Sequence, residues 1–229
     1  MAVSPRNRFE RRRAETRQAL IRAARTILAE SGDTSASIRA IAERADVGFG
    51  SFYNHFTGKP DLFDAAVADA LEEYAQAIDK RLHGISDPAE RLAGGVRLGA
   101  RLAESHPEIM RILCHSGLGR ICAGYGLAPR AKRDVEQGMA TGRFRVVDPV
   151  VALTVLNGSL LALLELWLHR PEAVSDHAAG KMAELLLHML GLSPQEARDL
   201  ARRPLPAAAS TTGRACEQGP TGCEAASRV

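Results

Sequence analysis

The stretch VGFGSFYNHF, residues 47–56, holds three phenylalanines, a tyrosine, a histidine and two glycines in ten positions. Aromatic residues make up only 4% of the 229-residue chain, so this segment is either a piece of core or a surface that contacts a partner. Its phenylalanines and tyrosine lie three and four residues apart, which is helical spacing. We predict a short helix here whose inward-facing residues are Phe52 and Phe56.

The residues just before this stretch predict a second short helix. Ser37 is a good N-cap, and Ile38, Ile41 and Ala42 follow on one helical face. Only ADVG, residues 45–48, separates this helix from the aromatic one. Two short helices joined by a tight turn form a helix-turn-helix.

Positive charge is concentrated in front of this motif. Residues 1–30 contain eight arginines against three glutamates, whereas the whole chain carries a net charge of only +3. A basic arm beside a helix-turn-helix is typical of DNA binding, because one helix enters the major groove while cations neutralise phosphates. The arm could also be a solvated leader; if it binds, we expect it along or in the minor groove.

Three hydrogen-bond donors, Tyr53, His55 and Lys59, lie near the end of the aromatic helix. Donors in this position grip backbone oxygens, which fixes register without reading sequence. Residues 48–51 would face base edges, where Phe49 could contact a thymine methyl. Because Phe49 also falls on the helical core stripe, its base-contact and core interpretations both stay open.

The rest of the chain is expected to be helical as well. No part alternates with period two, whereas apolar spacings of three and four recur throughout. We predict an all-α protein with a three-helix N-terminal domain, a larger helical domain and about nine helices. The expected helices cover about residues 14–31, 38–45, 47–56, 59–82, 88–104, 107–118, 127–141, 148–169 and 175–190.

The most apolar segment is VVALTVLNGSLLALLELWL, residues 150–168. It approaches membrane-spanning length, but it contains Asn157 and Glu165 and lacks a basic flank at its start. We therefore expect a wholly buried helix of a soluble protein and no membrane association. Together with the apolar face of the 175–190 helix, it is expected to pack against a second copy as a four-helix bundle, which makes the protein a homodimer.

The chain resembles the TetR family of bacterial transcriptional repressors in three stretches: TRQALIRAARTILAESG (residues 16–32), SIRAIAERADVGFGSFYNHF (37–56) and GKPDLFDAAV (58–67). The aromatic-Tyr-x-His-Phe ending followed by Lys-x-x-Leu is the most specific part. GMATGRFRVVDPVVALTVLNGSLLALL (138–164) is similar to the family's entry into its eighth helix. The resemblance implies a one-component regulator, most simply a repressor that binds a palindromic operator as a dimer and is released by a small-molecule effector.

By position, the resemblance implies that these residues lie at the DNA interface: Arg39, Gly48, Phe49, Ser51, Tyr53, His55 and Lys59. Two positions depart from the family pattern. The turn usually has glycine where this chain has Asp46, a residue type that tolerates a left-handed backbone. The third helix is usually capped by serine, and Gly48 in that place costs on the order of a few tenths of a kcal/mol. Base reading must then rest on Phe49, Ser51, close backbone approach or the second helix.

The resemblance also divides the chain. We expect a basic N-terminal arm over residues 1–13, a helix-turn-helix DNA-binding domain over 14–58 and a regulatory domain for ligand binding and dimerisation over 59–192. The long helix that begins near Pro60 joins the two domains as a lever. Residues 193–229 are rich in proline, glycine, alanine, serine and threonine and show no apolar period, so they predict a disordered tail.

A ligand cavity inside the regulatory domain is a further implication of the resemblance. Candidate lining residues are apolar side chains with a few polar handles, and each could instead be ordinary core: Met110, Leu113, Cys114, Tyr125, Asn157 and Trp167. Glu165 is a carboxylate within an apolar run. We expect it to pair with an arginine such as Arg101 or Arg111, or to make a polar contact in the pocket or interface.

Other classes of protein have weaker support. The glycine-rich stretch GLGRICAGYG (117–126) has Cys122 where a dinucleotide-binding motif needs glycine, and no predicted strand precedes it. His115 beside Cys114 is a poor metal pair, because adjacent helical residues point apart. We expect no enzyme activity, cofactor or metal, and a cytoplasmic protein with reduced thiols, since there is neither a secretory signal nor a CxxC pair. A helical adaptor without DNA binding is the remaining alternative.

Overall fold

The computed structural model describes residues 5–32, 34–112, 126–175 and 177–206. Within these ranges the chain is helical and contains no strand, which confirms the all-α prediction. Residues 107–112 are helical, and Pro171–Ala173 form a 3₁₀ turn. The helices with both ends described are α1 (Pro5–Ser31), α2 (Ile38–Arg44), α3 (Phe49–Phe52), α4 (Lys59–Arg81), α5 (Pro88–Ser105), α6 (Leu127–Ala140), α7 (Pro149–His169), α8 (Ala178–Met189) and α9 (Pro194–Arg202).

The helix-turn-helix forms from α2 and α3 as predicted. The hydroxyl of Ser37 accepts a hydrogen bond from the backbone N–H of Ala40 at 3.1 Å and so caps α2. In the turn that follows, Asp46 has a φ of 53°, a left-handed conformation that aspartate adopts more readily than most residues. Phe52 and Phe56 are 0% and 3% exposed, which confirms the inward face of the aromatic stretch.

α1 is longer than predicted. We expected it to begin near Ala14 behind a separate arm, but it already begins at Pro5. Residues 6–13 contain neither glycine nor proline, and arginine is a good helix former, so nothing stops the helix short of Pro5. From residue 5 onward, the segment expected to be a separate arm is part of this helix.

α4 connects the helix-turn-helix to the rest of the molecule. Phe63 in its first half and Tyr74 in its second half belong to one continuous buried cluster. The Tyr74 hydroxyl donates a hydrogen bond to the Gly99 carbonyl of α5 at 2.5 Å, and burial raises the pKa of this phenol. On another side of α4, Arg25 of α1 lies 2.8 Å from the carboxylate of Asp69. The helix is therefore held by both halves of the protein.

The C-terminal end of the described chain corrects the prediction of a disordered tail from residue 193. Ser193 caps α9, and Ala197, Leu200 and Ala201 are buried in a second core that also includes residues of α5 and α8. This apolar face consists of only three residues, and arginines and prolines surround it in the sequence. For this reason the sequence showed no helical period of apolar residues here. The rest of the predicted tail, from residue 207, lies outside the described residues.

α7 begins and ends as predicted, but it is not buried all round. Leu156 and Leu160 are buried, whereas Val150 is 72% exposed and Val151 is 56% exposed. Among the described residues, α7 is a helix long and apolar enough to cross a membrane by length and composition. The prediction of a wholly buried helix is therefore wrong for the single chain, whose α7 presents one apolar side to the outside.

Glu165 on α7 has a histidine partner rather than either of the two arginines expected. Its carboxylate lies 3.5 Å from Nδ1 of His169, one turn further along the helix. About half of the Glu165 side chain is exposed to solvent. The apolar run therefore tolerates this carboxylate because the helix turns it outward, where no buried counter-charge is needed.

The turn at Asp46 gives the first testable prediction. Asp46→Val should lower the free energy of unfolding by about 1–2 kcal/mol, because a β-branched residue is strained at positive φ. Asp46→Gly should keep the free energy of unfolding within about 1 kcal/mol of the wild type, because glycine adopts this conformation without strain. Urea denaturation measures both values, and a valine variant as stable as the wild type would contradict the left-handed turn.

Candidate nucleic-acid interface

The outer side of α3 carries two aromatic rings. Phe49 is 50% exposed and Tyr53 is 57% exposed, although the two other aromatic residues of this segment are buried. The rings of Phe49 and Tyr53 meet edge to face, with their centroids 6.0 Å apart. Tyr53 also packs edge-on against buried Phe52 at 5.3 Å. Phe49 therefore does not lie in the core, and the two rings form an exposed aromatic step, Phe49–Tyr53, supported by the core beneath.

Two glycines flank Phe49, so the backbone on either side of it at this end of α3 carries no side chain. Gly48 is the N-cap and has a φ of −62°, which any residue can adopt. A Cβ on Gly48 would only touch Ser51 Oγ at 3.7 Å, and a Cβ on Gly50 would meet no atom within 4 Å. Since nothing inside the chain requires glycine at either position, the absence of side chains suits close approach by an outside partner.

α1 brings two arginines to the end of the motif. The guanidinium of Arg17 lies 5.1 Å from the ring centre of Phe56, and Nη2 of Arg13 lies 3.5 Å from the carbonyl oxygen of Asn54. Burial, together with the positive charges of Arg13 and Arg17, lowers the pKa of His55. The two guanidiniums themselves give this corner a positive potential that would attract a phosphate. Arg13 falls in the predicted basic arm and Arg17 in the predicted first helix; their spacing of four on one face of α1 is the signal for this placement.

The other predicted contacts lie around this surface. Arg39 is exposed on α2, and Ser51 is partly exposed on α3. Lys59 opens α4, where its ammonium donates a hydrogen bond to the carbonyl of Ser35 at 3.1 Å. That bond uses one of three ammonium donors and ties the start of α4 to the loop before α2. The structure thus combines donors, cations and exposed rings on the helix-turn-helix, and the contacts of these residues with DNA stay predictions.

A second candidate site is a cavity of about 60 Å³ between α4, α5, α6 and α7. Its walls are largely apolar, and Leu156 and Leu160 contribute to them. Charged groups are rarely buried unless they are paired. A few polar residues among apolar walls are typical of a cavity that binds a small ligand. The polar residues that line it are Asp79, Arg91, Arg130, Asp134 and Asn157.

Ion pairs connect the charges of this cavity. Arg91 lies 3.2 Å from both Asp79 and Asp134, the latter only 6% exposed. Arg130 lies 2.5 Å from Asp79 and 2.7 Å from Glu72. Its hydrogen bonds lower the pKa of Glu72 to about 2. Sequence reasoning missed this network; the only local signal was Arg130 and Asp134 one turn apart on a predicted helix.

Of the residues predicted to bind a ligand, the three that the structure describes do not converge on one cavity. Asn157 lines the cavity described above and is 8% exposed. Trp167 lines a different small cavity beside α8. Met110 is completely buried in the cluster that contains the helix-turn-helix core. Leu113, Cys114 and Tyr125 lie outside the described residues.

Comparison with known protein families identifies the chain. Residues 20–66 match the family described as bacterial regulatory proteins, tetR family, and residues 87–203 match the tetracyclin repressor-like, C-terminal domain. The chain belongs to the TetR family of transcriptional regulators, which confirms the resemblance of its motifs. This family is not enzymatic, and its helix-turn-helix implies DNA as a partner.

Individual relatives agree with this assignment. The crystal structure of RolR in complex with resorcinol is 35% identical, covers 86% of this chain and 98% of the RolR chain, and superposes with a TM-score of 0.62. The transcriptional regulator HbdR from Aromatoleum sp. (strain CIB) is 33% identical over 82 residues, 36% of each chain. The nicotine-responsive transcriptional repressor HdnoR from Paenarthrobacter nicotinovorans is 34% identical over 73 residues, 32% of this chain. The present chain spans little more than a third of these two curated relatives, 36% and 38% of their lengths.

The aromatic step gives the second prediction. Tyr53→Phe removes the hydroxyl that is predicted to donate to a phosphate and should weaken binding to matched and scrambled operators alike by about tenfold or more, since a hydrogen bond to a charged group contributes about 1.5–3 kcal/mol. Phe49→Ala should instead change the preference between the two duplexes. Electrophoretic mobility shifts measure both effects.

Protein stability is the control for this pair. Both side chains are about half exposed, so each variant should unfold within about 0.5 kcal/mol of the wild type. Equal losses on both duplexes for Phe49→Ala would contradict a base contact at that residue.

Proposed function

We propose that this protein is a cytoplasmic, dimeric repressor that binds a palindromic operator and is released from it by a small-molecule effector. The observation that carries the proposal is the position of α4, which supplies Phe63 to the core of the helix-turn-helix and Asp79 to the wall of the polar-lined cavity. A ligand that prefers one position of α4 would therefore change the presentation of α3. The change in operator affinity is limited by that preference, typically about 1–3 kcal/mol.

The exposed apolar side of α7 and α8 supports the homodimer. Leu185 is 69% exposed, Val155 is 43% exposed and Met189 is 37% exposed. They line an open groove of about 540 Å³, and exposed apolar side chains that adjoin one another in this way suit contact with a protein partner. A second copy across a two-fold axis would cover it with its own α7 and α8 as a four-helix bundle. Two α3 segments set about 34 Å apart could then read both halves of a palindrome.

The likeness to RolR and the polar groups that line the cavity support a small hydroxylated aromatic compound as the effector. RolR, whose structure holds resorcinol, is similar to this chain over most of both chains. In the present protein, carboxylates of Asp79 and Asp134 can accept hydrogen bonds from ligand hydroxyls, and the amide of Asn157 can donate or accept. Leu156 and Leu160 offer apolar contact to a ring.

The function is tested on duplexes that the purified protein selects from fragments of its source genome. Fluorescence anisotropy should show affinity that falls steeply as the salt concentration rises, because binding releases counterions. Addition of resorcinol should then lower the affinity for the selected duplex by roughly fivefold or more. A protein that binds no duplex even in dilute salt would be the helical adaptor instead. A protein that binds DNA but ignores resorcinol and similar phenols would contradict the proposed effector class.

The dimer gives a separate prediction with a matched control. Val155→Glu places a charge in the apolar groove and should make the protein monomeric in sedimentation experiments. Its operator affinity should fall by roughly a hundredfold or more, because the two half-sites are no longer bound jointly. Val147→Glu introduces the same charge at a fully exposed position that does not line the groove, and it should leave both properties unchanged. A dimeric Val155→Glu variant with wild-type affinity would contradict this interface.

A further inference from the structure

Arg130 of α6 takes part in both the cavity and the attachment of α4. Its guanidinium lines the cavity, and it donates to Glu72 from Nη2 at 2.7 Å and from Nη1 at 3.0 Å. Its Nε donates to Asp79 at 2.5 Å. Glu72 and Asp79 are seven residues apart, about two turns of α4, and therefore share one face of that helix. We refer to Arg130, Glu72 and Asp79 as the Arg130 clamp.

The Arg130 clamp is rigid and fully charged. Nη1 of Arg130 also donates to the carbonyl of Gly126 at 2.7 Å, which fixes the guanidinium to the start of its own helix. The side chain of Arg130 is only 19% exposed. Hydrogen bonds between the two groups raise the pKa of Arg130 and lower the pKa of Glu72, so both stay ionised throughout the neutral range. A paired and bidentate contact of this kind holds two helices in one relative position.

The neighbouring residues of α4 hold the helix-turn-helix domain. Arg25 of α1 lies 2.8 Å from Asp69 and 2.6 Å from Glu73, and Gln18 of α1 donates to Asp69 at 3.2 Å. Because Glu72 and Glu73 are consecutive, ion pairs from α6 and from α1 hold α4 at the same turn. A rotation of α4 that releases Glu72 from Arg130 must also move Asp69 and Glu73 against α1.

Asp79 is the point where a bound molecule would meet the clamp. Its carboxylate lines the cavity and already receives Arg91 at 3.2 Å and Arg130 at 2.5 Å. A ligand hydroxyl that donates to Asp79 competes with these guanidiniums for the same oxygens. Occupancy of the cavity therefore weakens one of the two attachments of Arg130 to α4.

We propose that the Arg130 clamp passes occupancy of the cavity to α4. The closed clamp holds the position of α4 that favours DNA binding, and a ligand at Asp79 opens it. Glu72 is the positioning residue of this device, since it holds α4 without lining the cavity. The inference rests on the proposed function as an effector-released repressor.

The experiment compares Glu72→Gln with Glu136→Gln. The control glutamate also pairs with a basic residue of α6, Lys132, but at an exposed position. Without any effector, Glu72→Gln should bind the selected operator roughly fivefold or more weakly than the wild type, because the clamp is already open. Glu136→Gln should stay within about twofold, as expected for a surface pair. Circular dichroism confirms that both variants are folded, and Glu72→Asp, which keeps the charge on a shorter side chain, should lose less affinity than Glu72→Gln.

Calorimetric measurement of resorcinol binding distinguishes a variant whose α4 has shifted to the ligand-bound position from a variant whose fold is damaged. A variant that favours the ligand-bound position should bind resorcinol at least as tightly as the wild type, whereas a merely damaged protein should bind it more weakly. In the presence of resorcinol, the operator affinity of Glu72→Gln should change by less than about twofold.

Equal operator affinities for Glu72→Gln and Glu136→Gln would overturn the clamp, and so would weaker resorcinol binding by a folded Glu72→Gln. Failure of the proposed function gives a different result, because the wild type itself would then bind no duplex. If resorcinol does not bind the wild type, the operator affinities of the two variants without effector still decide whether the Arg130 clamp holds α4 in the position that favours DNA binding.

Discussion

α4 is 23 residues long, and its buried side chains face α1 to α3 at one end and the regulatory helices at the other. Phe63 and Tyr74 belong to the same buried cluster, so this helix joins the core of the helix-turn-helix to part of the regulatory core. Apolar burial on both sides prevents α4 from detaching, and close packing prevents it from bending gradually. A movement of α4 would then shift the whole helix, which is how a ligand in the small cavity would reach the helix-turn-helix under the proposed function.

The short aromatic segment serves two purposes within ten residues. Phe52 and Phe56 fix α3 to the core, and Phe49 and Tyr53 use that support to stand outward as rigid rings. Burial immobilises Phe52 and Phe56, and these two rings support the exposed pair from beneath. Arginines from α1 add positive charge beside the same segment. The motif, too short to be stable alone, thereby combines positive charge with exposed rings, which is the combination that the predicted phosphate and base contacts need.

Charge is distributed differently in the two functional regions. On the helix-turn-helix side, the cations face solvent, where a polyanion can reach them. In the regulatory part, guanidiniums and carboxylates pair with one another around an apolar cavity. Paired charges in such a place contribute little net stability, but they hold helices in a defined arrangement that a polar ligand can disturb. The exposed apolar side of α7 and α8 adds a third kind of surface, which suits a permanent partner.

Local signals in the sequence determined much of this protein. The Ser37 cap, the turn at Asp46 and the inward rings all depend on residues a few positions apart, and the starts of α5 and α7 follow from an aspartate cap with a proline directly after it. The motif itself was sufficient to indicate the family. Only the tertiary structure decided which rings of the aromatic stretch are exposed and which charges meet at the cavity. It also decided that α9 packs on the second core. Glu72 and Arg130 are separated by 58 residues, and helical periodicity states that a face is buried without stating what covers it.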